Sequence, residues 1–219
     1  MAEAERQPTE EEQLAELLGG RLSEVVRMAG RILERAGAYS VLCPACGPGE
    51  GSAYLARRGF RVTAYDISER AVAQALTIAE QMGVSVDCFV DDLIVPRRRL
   101  RRFDALFASN LLHQMMAAQR QRLLRSFHRA LRQGGVLIVS VLSVDDERYG
   151  YGRPVEEDTF ELGLGETIHF YTVPDLHEEL SRFFQVAHVE DMEEVQEHYV
   201  VGKQTYRLLV ATALRIDPD

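Results

Sequence analysis

The sequence has no apolar run approaching the roughly 20 residues that cross a bilayer. Its opening stretch, MAEAERQPTEEEQ, is acidic and polar, where a signal or transit peptide needs an apolar or arginine-rich segment. Both absences argue against a membrane partner and for a cytoplasmic protein. Cysteine is scarce: three in 219 residues cannot build a disulfide framework, which fits a reducing compartment. Positive charge is also short, 25 basic residues against 34 acidic ones for a formal charge of −9. Neutralising a nucleic-acid backbone needs the opposite balance, so no nucleic-acid partner is expected. There is no internal repeat and no low-complexity segment. No His/Asp/Glu group has convincing metal-ligand spacing, and none is assigned to a metal.

What is present is an ordinary soluble composition, 46% hydrophobic and 27% charged, in a chain long enough to bury one core. Residues 1–12 carry no apolar pattern and read as a disordered tail. From Leu14 to Ala36 the apolar residues recur at helical spacing, with Gly19-Gly20 dividing a short helix from a longer one. Ser40 to Leu42 reads as a strand opening into a glycine-rich turn. A regular alternation follows: helix 51–58, strand Arg61–Asp66, helix 68–82 capped by Ser68 and stopped by Gly83, strand 86–90 and strand 103–108. A helix from Gln119 to Arg132, stopped by Gly134-Gly135, leads to the near-continuous apolar strand Val136–Leu142. This order predicts an α/β fold, a Rossmann-like three-layer sandwich on a mostly parallel seven-stranded sheet. Residues 143–172 have little periodicity and read as a lid. Helix 173–184, with Thr172 as N-cap, and two strands, 185–190 and 206–215, complete the chain. The strands can pair as a hairpin and supply a terminal antiparallel strand.

The segment VLCPACGPGEGSAYLARRGFRVTAYD carries the chemistry. A strand ends near Cys43, and Gly47, Gly49 and Gly51 form the turn before a helix, where a ligand can lie against bare backbone. Asp66 closes the next strand, the position that faces a nucleoside ribose in a doubly wound sheet. The spacing is Gly-x-Gly-x-Gly rather than the dinucleotide Gly-x-Gly-x-x-Gly, and Glu50 would repel a pyrophosphate. A cationic sulfonium ligand suits the loop better.

VLCPACGPGEGSAYLARRG, VTAYDIS, FVDDL, FDALFASNLLH and LRQGGVLIVSV, in that order, resemble the class I S-adenosylmethionine-dependent methyltransferases. The flavour is closest to small bacterial enzymes of the tellurite-resistance type, which carry a stretch like GETIHFYT before a helix. The resemblance covers about residues 41–141 and implies S-adenosyl-L-methionine as cofactor. It implies one methyltransferase domain over 13–219, with N-terminal helices (13–38), cofactor-binding core (40–142), substrate lid (143–172), and C-terminal helix and hairpin (173–219). By it, the backbone of Ala45 and Cys46, with Gly47 and Gly49, would hold the methionine part. Asp66 would bind the ribose and Ile67 the adenine. Asp92 would accept from the adenine amino group beside Leu93, and Asn110 would lie near the methionine moiety. Two positions depart from the pattern: Cys43 stands where most members carry an acid, and Ala45 where they carry glycine.

The implied reaction is methyl transfer by in-line displacement to a small-molecule acceptor, with a base needed only if the acceptor must lose a proton. His113, at the carboxyl end of a strand, and His169 and Tyr171, in the lid, are the candidate catalytic residues. Tyr149, Tyr151, Phe160, Phe170 and Tyr171 point to a partly apolar acceptor. The expected assembly is a monomer or homodimer. Two other readings stay open: a cofactor-binding protein of the same fold that transfers no methyl group, and an NAD(P)-dependent oxidoreductase. The second would use the Tyr199-x-x-x-Lys203 spacing, which sits in poor helix sequence. Cys43-Pro44-Ala45-Cys46 reads as two small residues at a strand end rather than a redox pair, with Cys88 alone. Arg97 to Arg102 reads as a solvated basic loop.

Overall fold

A computed structural model describes residues 22–95, 97, 98, 101–163, 165–198 and 202–216. The expected tail, the first helix with Gly19-Gly20, and Tyr199 lie outside the described residues. The first element, α1 (Glu24–Arg35), starts where the Ser23 side chain accepts from the Val25 N–H at 3.1 Å. The alternation then runs β1 (Ser40–Pro44), α2 (Glu50–Arg57), β2 (Arg61–Asp66), α3 (Glu69–Gln81), β3 (Asp87–Val90) and β4 (Phe103–Ser109). A 3₁₀ turn (Leu112–Gln114), α4 (Ala117–Ala130) and β5 (Leu131–Leu142) follow. Ser68 caps α3 as expected, accepting from the Ala71 N–H at 3.2 Å.

The seven strands lie in the order β3-β2-β1-β4-β5-β10-β9, where β9 is Gln185–His198 and β10 is Gly202–Leu214. β1 to β5 pair in parallel, and β10 runs antiparallel to both β5 and β9. The expected antiparallel strand is therefore present, inside the sheet rather than at its edge. One face carries α1, α2 and α3 over a core that includes Val25, Leu33, Tyr54, Val62 and Ile138. The other carries α4 and α5 (Val173–Ser181) over Leu106, Leu123, Phe127, Leu137 and Leu176. This is the three-layer sandwich that binary patterning implies, since each buried strand presents both faces to helices.

Three expectations need correction. Helix α4 stops at Ala130, and Gly134-Gly135 sit inside β5. There they are held by the chain after β10: the Gly134 N–H donates to the Arg215 carbonyl, and the Arg215 N–H to the Gly135 carbonyl, both at 2.8 Å. The pair marks a register shift in the strand, not a helix stop. The stretch 143–172 is not irregular. It folds into a small antiparallel sheet of β6 (Arg153–Glu156), β7 (Thr159–Gly163) and β8 (Glu166–His169). The last two strands are also longer than their apolar runs.

Candidate cofactor groove and acceptor cavity

β1 ends at Pro44, and the chain must turn at once into α2. Ala45 (φ 50°), Gly47 (φ 53°) and Gly49 (φ 93°) take the left-handed backbone in alternate positions. A Cβ on residue 49 would also lie 2.4 Å from the Ala75 Cβ in α3, so only glycine lets α2 and α3 approach here. The Cys46 N–H donates to the Tyr65 carbonyl at 3.1 Å, tying the loop to β2.

Asp66, the last residue of β2, reaches back over the loop. Its Oδ2 accepts from the Gly47 N–H at 3.0 Å and its Oδ1 from the Ser68 N–H at 2.9 Å. A carboxylate oxygen has two acceptor sites, so each keeps capacity for a ligand hydroxyl. Beside it the large apolar side chain of Ile67 is 66% exposed. Beyond β3, Asp92 Oδ1 accepts from the Ile94 and Val95 N–H groups at 2.7 and 2.8 Å, and Leu93 is half-buried. The preceding Asp91 is buried. Burial pushes its carboxyl up, but the backbone N–H donors of Arg97, Arg98 and Asp92 outweigh this and hold it below the usual carboxylate range. Asn110, just past β4, has φ 53° and donates its N–H to the Ser140 carbonyl at 3.1 Å.

A cavity of about 120 Å³ opens at the carboxyl ends of β1 and β4, walled by Cys43, Ala45, Cys46, Ser52 and Ser109 among others. The nine residues expected to hold a cofactor thus all lie at the carboxyl ends of β1 to β4, along the edge where parallel sheets bind ligands. The set fits a nucleoside with a zwitterionic tail. It offers a carboxylate positioned by two backbone N–H groups with an acceptor site left on each oxygen, an exposed apolar side chain and a loop whose glycines leave the backbone bare. The acid missing at Cys43 is not replaced by a thiolate, because burial pushes that thiol up to about 12. Cys88 is not alone: its Sγ lies 3.9 Å from that of Cys46, and this contact and burial keep the Cys46 thiol protonated. The Cys43/Cys46 pair is therefore not a redox motif in this geometry.

His113 lies in the 3₁₀ turn, buried, and its Nδ1 is the sole buried side-chain polar atom without a partner among the described residues. Burial, then the charge of Arg148, push its pKa down to about 3, against the opposing pull of Asp146. It is a neutral imidazole at physiological pH. His169 ends β8 and is also buried. Its Nδ1 lies 2.8 Å from the Thr159 Oγ1, which donates its own proton to the Glu157 carbonyl at 3.0 Å. This assigns the imidazole proton to Nδ1 and leaves Nε2 as an acceptor. Burial and then Arg120 push the His169 pKa down to about 4.

The His169 ring meets Tyr171 edge-on with centroids 4.3 Å apart. Tyr171 is fully buried and donates its hydroxyl to Glu179 Oε2 at 2.8 Å. Glu179 is paired in turn with the Arg120 Nε at 3.0 Å and accepts from the Gln121 Nε2 at 3.2 Å. These side chains line a cavity of about 340 Å³ whose rim carries Glu156, Asp158 and Asp175. His169 and Tyr171 are thus brought together, while His113 is not among the residues lining that cavity. The aromatic expectation splits. Tyr149, Phe160 and Phe170 pack edge-to-face at 5.5 to 6.1 Å, with Phe170 fully buried in the core under α1 and α2 and Phe160 against it, whereas Tyr149 and Tyr151 are exposed. Lys203 stands in strand β10, so the helical pair that oxidoreductase chemistry needs does not form. Sequence reasoning missed Arg120 and Glu179. They fall on separate helices, 59 positions apart, and no local pattern announces a pair of that kind.

The architecture is one shared with solved S-adenosylmethionine-dependent methyltransferases. Residues 41–135 match a family described as "Methyltransferase domain". An uncharacterised methyltransferase of Synechocystis is 33% identical over 96 residues, covering 44% of this chain and 43% of that protein. A ubiquinone biosynthesis O-methyltransferase of Coxiella burnetii is 29% identical over 131 residues, covering 60% and 55%. The chain therefore spans about half the length of the curated relatives it matches. Among solved structures, 1,6-didemethyltoxoflavin-N1-methyltransferase of Burkholderia thailandensis, with substrate and S-adenosylhomocysteine bound, aligns over 99% of this chain and 94% of its own. That alignment has a TM-score of 0.69 at 22% identity. TehB from Haemophilus influenzae aligns over 88% of this chain and 61% of its own, with a TM-score of 0.63 at 15% identity. The expected resemblance to this class, TehB included, holds at the level of fold.

Proposed function

We propose that the protein transfers a methyl group from S-adenosyl-L-methionine to a small-molecule acceptor. The observation that carries this is Asp66, bonded across the loop to the Gly47 N–H at 3.0 Å with Ile67 exposed beside it. In this reading Ala45, Cys46, Gly47 and Gly49 hold the methionine part, with Asn110 near it. Asp66 takes the ribose hydroxyls, and Ile67, Asp92 and Leu93 take the adenine. The cofactor, when bound, supplies a methyl group already activated on a sulfonium, so the protein's work is alignment and exclusion of water.

The His169 Nε2, held as an acceptor by the Thr159 contact, receives the acceptor's proton, and Tyr171 with Glu179 and Arg120 fixes the ring that does so. His113, buried with an unpartnered nitrogen but outside the lining of that cavity, is given no contact with the acceptor. The cavity of about 340 Å³ and its polar lining suit a small molecule with a hydroxyl or amine. The domain limits given above, a cytoplasmic location, and a monomer or homodimer without nucleic-acid or membrane partners belong to the same proposal. Among the described residues no helix is long and apolar enough to cross a membrane, and the three cysteines are free.

The test is titration calorimetry with S-adenosylhomocysteine on the wild type and on Asp66→Asn. Binding that weakens about tenfold or more in the variant is expected, from losing charge-assisted hydrogen bonds to the ribose. No binding to the wild type at millimolar ligand would sink the reading. Quenching or enhancement of NADH fluorescence would favour the oxidoreductase instead.

A further inference from the structure

The crossover from β3 to β4 departs from the pattern of the sheet. The crossovers after β1, β2 and β4 each carry a helix, α2, α3 and α4, whereas the described residues between Asp91 and Arg102 carry none. Among the described residues no helix of this crossover packs on the face that α4 and α5 cover elsewhere, over the first halves of β1, β2 and β3. A cavity of about 410 Å³ lies there, floored by Thr63, Phe89 and Phe103. It sits at the amino edge of the sheet, opposite the cofactor groove.

Five arginines line this cavity: Arg61, Arg98, Arg101, Arg102 and Arg132. Arg132 is paired with Asp104 at 2.5 Å. The other four are exposed and form no ion pair with any described residue. The one carboxylate in the lining is Asp87. The position of Arg98 is set in advance. Its N–H is held by the Asp91 Oδ2 at 3.1 Å, and its guanidinium stands 4.0 Å from the centroid of the Phe89 ring.

We propose that this cavity binds a compact anion carrying two or more phosphate groups. Unpaired guanidinium groups repel one another, and a multiply charged anion among them removes that cost. Their planar forks match phosphate oxygens two at a time. The volume falls within the roughly 300–1,000 Å³ of small-ligand pockets, and the site is concave rather than a flat track. The chain's charge of −9 repels a long polyanion, which selects a short one. The site is separate from the groove of Asp66 and stands whether or not the methyl-transfer reading holds.

The experiment is calorimetric titration of the whole chain with inorganic tripolyphosphate, beside the double variant Arg61→Ser/Arg101→Ser. Neither residue touches the cofactor groove or the core, and melting curves of the two proteins check that both fold. Saturable binding by the wild type, weakened about tenfold or more in the variant and by added salt, is expected. Absence of saturable binding, or equal binding by the variant, overturns the proposal. A single-stranded oligonucleotide that binds where tripolyphosphate does not also overturns it, in favour of a nucleic-acid surface. Equal affinity for citrate overturns the phosphate assignment.

Discussion

Ala45 occupies a left-handed backbone, φ 50°, that costs a residue with a Cβ about 1 kcal/mol. Ala45→Gly should therefore be neutral to stabilising by up to about 1 kcal/mol, since the relief of strain is partly offset by unfolded-chain entropy. Urea unfolding checks it, and a loss of stability would show that the Cβ is held by packing instead. The two buried histidines give a second expectation. Their pKa values in the fold, about 3 for His113 and about 4 for His169, lie below the ordinary 6.5. A depressed value means that the unfolded chain binds the proton more readily. The stability they contribute is complete above pH 6.5 and is lost as the pH falls toward those values. Between about pH 6.5 and 4 each should take up one proton on unfolding, a slope of about 1.4 kcal/mol per pH unit. Removing one histidine with His113→Asn should flatten the curve by about one such slope. An unchanged slope would show that His113 is solvated in the native protein.

At the scale of elements, the glycine loop separates two effects that sequence alone merges. Gly47 and Gly49 both have positive φ, but a Cβ at 47 meets nothing within 4 Å, whereas one at 49 collides with Ala75. Gly47→Ala should cost about 1 kcal/mol from backbone strain, and Gly49→Ala about 2 kcal/mol or more, because α2 must also move from α3. Adding Ala75→Gly should recover only a fraction of the packing part for Gly49→Ala, because the new Cβ also lies 2.6 Å from the Ala75 Cα, and nothing for Gly47→Ala, measured by denaturant midpoint. Most of the core was legible because the parallel strands are apolar on both faces and their helices carry caps, as Ser68 and Thr172 do. The stretch 143–172 was not legible. Its strands are short, β6 runs RPVE, and glycines and charges replace any alternation. The outer half of β9, DMEEVQEH, was missed for a related reason: it is an edge strand in which Asp191, Glu193 and the buried Glu194 interrupt any apolar run. The Gly134-Gly135 error came from reading glycine as a helix stop when its partner, Arg215, lies 80 residues away in sequence. In the site, Asp66 and the loop could be read because one turn places them together. The Arg120–Glu179–Tyr171 set could not, because tertiary packing alone assembles it.

For the whole molecule, ligand binding at the sheet's carboxyl edge should be visible as global stability, because the groove draws on β1 through β4. S-adenosylhomocysteine at about 100 times its dissociation constant should add about 2.7 kcal/mol and raise the melting temperature by several degrees, with NADH without effect. A rise with NADH alone would reverse the assignment of the groove. The position of β10 bears on how such a sheet is made. It follows β9 in the chain yet lies between β9 and β5. A polypeptide emerging from the ribosome therefore presents the buried strand VLIVSVL of β5 with an unsatisfied edge until β10 has been synthesised. β9, already made, has no neighbour to join in that interval. Nascent chains of this protein pass through a stage open to cross-pairing with one another, and the yield of soluble product should fall as translation outpaces chaperone capacity.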